Sequence, residues 1–162
     1  MGKPLKVGSP QYYAFVRNLK NAEGGKLVIR QMTKAFRKEG KPVLNSVKQG
    51  ALSTPSKDQN ARRGRPSLRR SLSKAATLQV KAAKDAVMIV KINGKKMPSG
   101  MQGLPPYIEG DQARLRHPTF GRDPWVRQVP HPFFWDAVEP FRPRLAASVN
   151  GVLNDIIKEL EQ

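Results

Sequence analysis

The stretch KLVIRQMTKAFRKEGKPVLNSVKQ, residues 26–49, decides the architecture of this chain. Its apolar side chains Ile29, Met32, Phe36, Val43 and Val47 recur at spacings of three, four, seven and four, which describes one face of an α-helix. Gly40 occupies the position that the stripe skips, where the missing side chain allows another helix to come close. Pro42 lacks an amide hydrogen, so the helix is expected to kink there or to restart with Pro42 in its first turn.

A second stripe closes the chain. Phe134, Val138, Phe141, Leu145, Val149, Val152, Ile156 and Leu160 follow steps of three and four and predict a long C-terminal helix. Pro140 and Pro143 disturb its start, so the regular part is expected from about Pro143. Between the two stripes, Thr77–Lys81 alternates and Ala86–Ile92 is a β-rich run, with Lys84-Asp85 as a tight turn and a third strand over Gln112–His117. The expected fold is α+β. A small antiparallel sheet packs against a long N-terminal and a long C-terminal helix, because that arrangement buries both apolar faces.

The remaining segments read as connections. Residues 1–25 form an N-terminal arm or short helix, and residues 26–162 a single α+β domain with loops at 53–66 and 94–111. Pro66 is placed to open a short helix with Leu68 and Leu72 inward and its arginines outward. With 162 residues, the chain is long enough to bury roughly two-thirds of its unfolded surface. Fourteen prolines and 13 glycines imply much irregular backbone.

Charge is distributed unevenly along the chain. The formal net charge is +18, and residues 1–74 hold 18 basic and 3 acidic side chains, against 7 and 8 over residues 101–162. Acidic partners are therefore expected at the N-terminal half. The run Arg62, Arg63, Arg65, Arg69 and Arg70 is its densest part. Guanidinium groups clamp phosphates or carboxylates through paired hydrogen bonds, so the run fits a solvated loop, an acidic protein surface or a DNA backbone. No zinc-finger, RNP or helix-turn-helix pattern accompanies it, which argues against base-specific readout.

Catalytic and metal-binding signals are sparse. The chain has no cysteine, which removes disulfides, thiolate metal sites and cysteine nucleophiles. His117 and His131 each precede a proline and match no ligand spacing with Glu109, Asp111, Asp123 or Asp136. Glu109 and Asp111 are close enough for an acid–base pair but are expected to meet basic groups or solvent instead. No phosphate-binding glycine loop or nucleophile elbow is present, so catalytic, cofactor and metal residues are expected to be none. No apolar run reaches the roughly 20 residues that span a bilayer, and no export signal is expected at the N-terminus. Trp125, Phe133, Phe134 and Trp135 gather both tryptophans among prolines, as core caps or as interface anchors.

Three segments in order carry a resemblance: Gly64-Arg65-Pro66-Ser67-Leu68-Arg69-Arg70-Ser71-Leu72, then Pro106-Tyr107-Ile108-Glu109-Gly110, then His117-Pro118-Thr119-Phe120-Gly121 through Trp125-Val126, Gln128 and His131-Pro132-Phe133-Phe134. Over about residues 26–160 the chain resembles the neck and tail-completion (head-to-tail connector, minor tail) proteins of long-tailed siphophages. Arg63-Gly64 stands where that family has threonine-glycine, and Asp111 where many members have threonine. The resemblance implies a non-enzymatic virion subunit, assembled in the host cytoplasm and residing in the neck or tail. Its implied partners are copies of itself in a ring, the head-completion or connector proteins, and the tail-tube or tail-terminator proteins. Sequence-independent contact with genomic DNA is a further implied partner. On this basis Arg62, Arg63, Arg65, Arg69 and Arg70 face an acidic partner or DNA, while Tyr107, Trp125, Phe133, Phe134 and Trp135 set the fold and its contacts. The alternative is a non-specific nucleic-acid-binding protein.

Overall fold

The computed structural model describes residues 14, 17–18, 24–55, 67–81, 87–111, 116–119, 122–127 and 129–160. Its elements in chain order are α1 (Gly25–Ser53), α2 (Leu68–Ala75), β1 (Ala76–Lys81), β2 (Val87–Ile92), a 3₁₀ turn (Gly94–Lys96), α3 (Leu104–Glu109), β3 (Arg116–Thr119), β4 (Arg122–Arg127), α4 (Phe134–Val138), a 3₁₀ turn (Glu139–Phe141) and α5 (Arg142–Leu160). The coarse expectation of helices with small antiparallel strand pairing holds.

The described residues fall into two units. One lies within Lys3–Asn45, Thr77–Lys91 and Pro140–Gln162, the other within Ser46–Ala76 and Ile92–Glu139.

In the first unit, α1 buries Val28, Met32, Phe36 and Val43, with Met32 and Phe36 almost fully removed from solvent. Each such burial is worth about 1.5–3 kcal/mol. Val28 is buried and Ile29 only half-buried, so the stripe is rotated slightly from its expected phase. Thr33 Oγ1 donates to the Ile29 carbonyl at 2.8 Å. The helix continues through Pro42 rather than restarting. Proline cannot bond the carbonyl four residues back, but that carbonyl belongs to the exposed Lys38, where water can serve it.

Gly40 admits strands, not a helix. A Cβ built there would lie 2.7 Å from Met88 Sδ and 2.8 Å from Leu78 Cδ1, so the β1–β2 ribbon packs directly on the α1 backbone. The ribbon is antiparallel in register. Thr77 Oγ1 donates to the Lys91 carbonyl at 3.3 Å, and the Asn93 amide reaches the Ala75 carbonyl at 2.8 Å. The expected Lys84-Asp85 turn lies outside the described residues. On the same unit, Ser148 Oγ of α5 donates to Glu39 Oε2 at 3.0 Å.

In the second unit the core is Val47 and Ala51 from the end of α1, Leu72 and Ala75 from α2, Met97, Ile108, Phe133, Phe134, Ala137 and Val138. Leu72 is buried, as the short-helix expectation required, but Leu68 is half-buried like Arg69, and Pro66 lies outside the described residues. Gly50 lets α1 approach the chain at Phe133, whose carbonyl would sit 2.7 Å from an added Cβ.

Three expectations are corrected. Among the described residues the strands form two two-stranded sheets, β1–β2 and β3–β4, instead of one. The third strand runs Arg116–Thr119 and pairs with β4, an unforeseen strand over Arg122–Arg127 that contains Pro124. Prolines in both strands suit a two-stranded ribbon, where a missing amide on the outward-facing edge of a strand costs no ladder bond. The C-terminal stripe is interrupted at its prolines, as expected, and its regular part starts at Arg142, one residue before Pro143. Five residues of α4 give way to a 3₁₀ turn at Glu139–Phe141 before α5 begins at Arg142, because Pro140 cannot continue the α-helical ladder. Finally, residues 104–109, expected within a loop, are helical. Pro105 and Pro106 lie in the first turn, where their missing amides are harmless, and Gly110 closes the helix with φ of 91°.

Candidate functional site

Two distant segments meet at α3. Its last residue, Glu109, is 8% exposed and places its carboxylate at the start of α4. Glu109 Oε2 accepts the amides of Phe133 at 3.2 Å and Phe134 at 3.0 Å, and Oε1 accepts the amide of Trp135 at 2.9 Å. The first amides of a helix have no intrahelical partner, so a carboxylate there satisfies orphan donors and meets the positive end of the backbone dipoles. Beside it, the His131 amide donates to the Ile108 carbonyl at 2.7 Å. Gly110 lies against Pro130, 3.2 Å from where its own Cβ would stand.

Burial pushes the Glu109 carboxyl above the ordinary value of 4.5; the three backbone amides pull against that shift, and the nearby charge of Asp111 adds to it. The net direction is upward, as for a carboxylate held in apolar surroundings. Chemically this group is occupied. Both oxygens are engaged with the backbone, so the carboxylate serves as an anchor between α3 and α4.

Around the anchor is a cleft of about 360 Å³, with Pro105, Pro106, Tyr107, Phe134 and Trp135 on its apolar side and Gln102, Glu109 and Asp111 as polar groups. Tyr107 and Trp135 are half-buried there, and Phe134 meets Trp135 edge-on with ring centroids 5.4 Å apart. Of the expected structural residues, Tyr107, Phe133, Phe134 and Trp135 thus come together. Trp125 does not join them: it lies on β4, 51% exposed, under the Arg116 guanidinium at 5.2 Å.

The arginine run is only partly visible. Arg62, Arg63 and Arg65 lie outside the described residues, as does the 53–66 loop beyond Pro55. Arg69 is half-buried and Arg70 exposed on α2. The helix α1 supplies a second cationic feature, less dense in sequence than the arginine run. Lys26, Arg30, Lys34, Arg37 and Lys41 are all exposed. At 3.6 residues per turn they fall within an arc of about 80° and extend over about 22 Å of helix axis. Their spacing of four, four, three and four is as periodic as the apolar stripe and is legible by the same count.

Among the described residues, no group of three or more histidine, aspartate or glutamate side chains is arranged to hold a metal ion. The side chain of His117 lies outside the described residues. No described helix is long and apolar enough to cross a membrane. No family model, curated protein or solved structure matches the chain.

Proposed function

We propose that this chain is a structural virion protein of the phage neck, joining the head connector to the tail or completing the tail as a ring-forming adaptor subunit without enzymatic activity. The observation that carries the proposal is the Glu109 anchor. The segments Pro106–Gly110 and His131–Phe134, separated in sequence and both part of the resemblance to neck and tail-completion proteins, are the two segments that Glu109 and Ile108 tie together. A buried charge devoted to fixing backbone suits a subunit whose task is to hold a shape. Its partners are other copies of the chain and the neighbouring head-completion and tail proteins, met in the virion after assembly in the host cytoplasm. A ring demands two different surfaces on each subunit, one for each neighbour.

Particles assembled without the chain provide the test. Under this proposal electron microscopy shows filled heads and separate tails, and infectivity is lost. Joined, infectious particles in normal yield would reject it.

A second reading, sequence-independent nucleic-acid binding, is favoured by one observation, the exposed row of five cations on α1.

A further inference from the structure

We infer that the nucleic-acid-facing surface of this protein is the outer ridge of α1, formed by Lys26, Arg30, Lys34, Arg37 and Lys41, and that it lies along the phosphate backbone of duplex DNA. The inference rests on the second reading above and deepens it, because it moves the contact from the Arg62–Arg70 run to a rigid helical face.

The helix is fixed from behind. Val28, Met32, Phe36 and Val43 are buried on one side, and Gly40 brings the backbone onto Leu78 and Met88, so the ridge is held on a packed element. A ridge already ordered loses little backbone entropy when it meets a ligand. The only carboxylate in α1, Glu39, is off the ridge and accepts the Ser148 hydroxyl, so no acidic side chain of the helix interrupts the row.

Spacing and composition select the partner. Successive cations advance by about 4.5–6 Å along the axis, and long flexible side chains can distribute them over a regular array of phosphates. A protein partner would need apolar or aromatic anchors to supply its central binding energy. None of the five ridge residues is one, and among the described residues of the first unit Leu27 is a single exposed large apolar side chain beside the row, not a cluster of anchors. Single strands are held by aromatic stacking platforms, which the ridge also lacks. Charge without anchors fits a duplex backbone, bound for its charge and independently of sequence.

The test compares two triple variants of equal net charge in the full chain. R30Q/K34Q/R37Q removes the middle of the ridge. K74Q/K95Q/K96Q removes three lysines elsewhere. Binding to a short random-sequence DNA duplex is measured across a salt series. The ridge variant should weaken binding by about tenfold or more and flatten the log–log salt slope by roughly 0.9 for each phosphate that is no longer neutralised, with the control variant close to wild type. A second measurement needs no variant: duplex should protect Lys26, Lys34 and Lys41 of the wild-type chain from acylation more than Lys74, Lys95 and Lys96, read by mass spectrometry.

Equal weakening in both variants, or equal protection of both lysine sets, overturns the ridge while leaving nucleic-acid binding intact. No duplex binding by wild type at low salt overturns both. Tighter binding to a polyglutamate chain than to duplex at matched salt also overturns the inference, in favour of an acidic protein.

Discussion

The Glu109 carboxylate accepts the Trp135 amide at 2.9 Å, closing a span of 26 residues with a single buried side chain. The same carboxylate also holds the two preceding amides, so the direction in which the chain enters α4 depends on one residue. Replacing it with glutamine keeps the shape but turns an amide donor toward one of those N–H groups. Glu109→Gln is expected to cost about 1–3 kcal/mol in urea unfolding at neutral pH, with Glu109→Ala costing more because three donors lose their acceptor. An unchanged midpoint in both variants would show that the carboxylate anchors nothing.

Acidity should modulate that anchor with a defined sign. The folded Glu109 carboxyl titrates above its ordinary value of 4.5 because burial disfavours its charge. The folded state therefore holds the proton more tightly than the unfolded chain. The stability gained from protonation is fully present below the unfolded value and is lost as pH rises through the folded one. The difference in stability between wild type and Glu109→Gln should grow as pH is lowered from neutral toward 4.5. A difference that shrinks over that window would mean the carboxyl is depressed instead.

Two glycines of α1 should respond differently to alanine. At Gly50 the new Cβ meets the Phe133 carbonyl at 2.7 Å, and a backbone oxygen in a packed unit cannot easily yield. At Gly40 the obstacles are Met88 Sδ and the Leu78 methyls, the ends of side chains that can rotate. Alanine also favours a helix over glycine by about 1 kcal/mol, which offsets part of the strain at either site. Gly50→Ala is expected to lose about 1–3 kcal/mol, with Gly40→Ala nearer wild type, both by chemical denaturation. The reverse order would show that α1 and Phe133 have room to separate.

The apolar stripe of α1 is legible in the sequence because helical periodicity is a local property, and Met32, Phe36, Val43 and Val47 are all buried as their spacing required. Leu72 is legible for the same reason. The α3 helix is not, since Pro105 and Pro106 resemble loop residues until their place in a first turn is known. Splitting of the strands into two ribbons is equally hidden, because pairing partners are chosen by tertiary packing and not by alternation within one strand. In the sequence Glu109 reads as a group that meets basic side chains or solvent, whereas it is buried and bonded to three backbone amides. Its role as a cap for α4 depends on a fold that brings residue 109 to residue 133, which spacing along the chain cannot reveal.

The aromatic group divides by burial, and substitution should divide it in the same way. Phe133 and Phe134 are 3% and 6% exposed, whereas Trp125 is half-exposed beneath Arg116. Phe134→Ala is expected to lose about 3–5 kcal/mol from cavity formation. Trp125→Ala should lose no more than about 1 kcal/mol in the isolated chain, the scale of an exposed cation–π contact. Thermal melts of the two variants provide the comparison, and comparable losses would place Trp125 in the core.

The most direct measurement is the location of this chain in a density map of the complete phage particle. The expected result is a closed ring of copies at the junction of head and tail, with each copy traceable through Glu109 to the start of α4. Absence of the chain from the particle, or its presence only in the capsid shell or at the distal tail tip, would contradict the neck assignment.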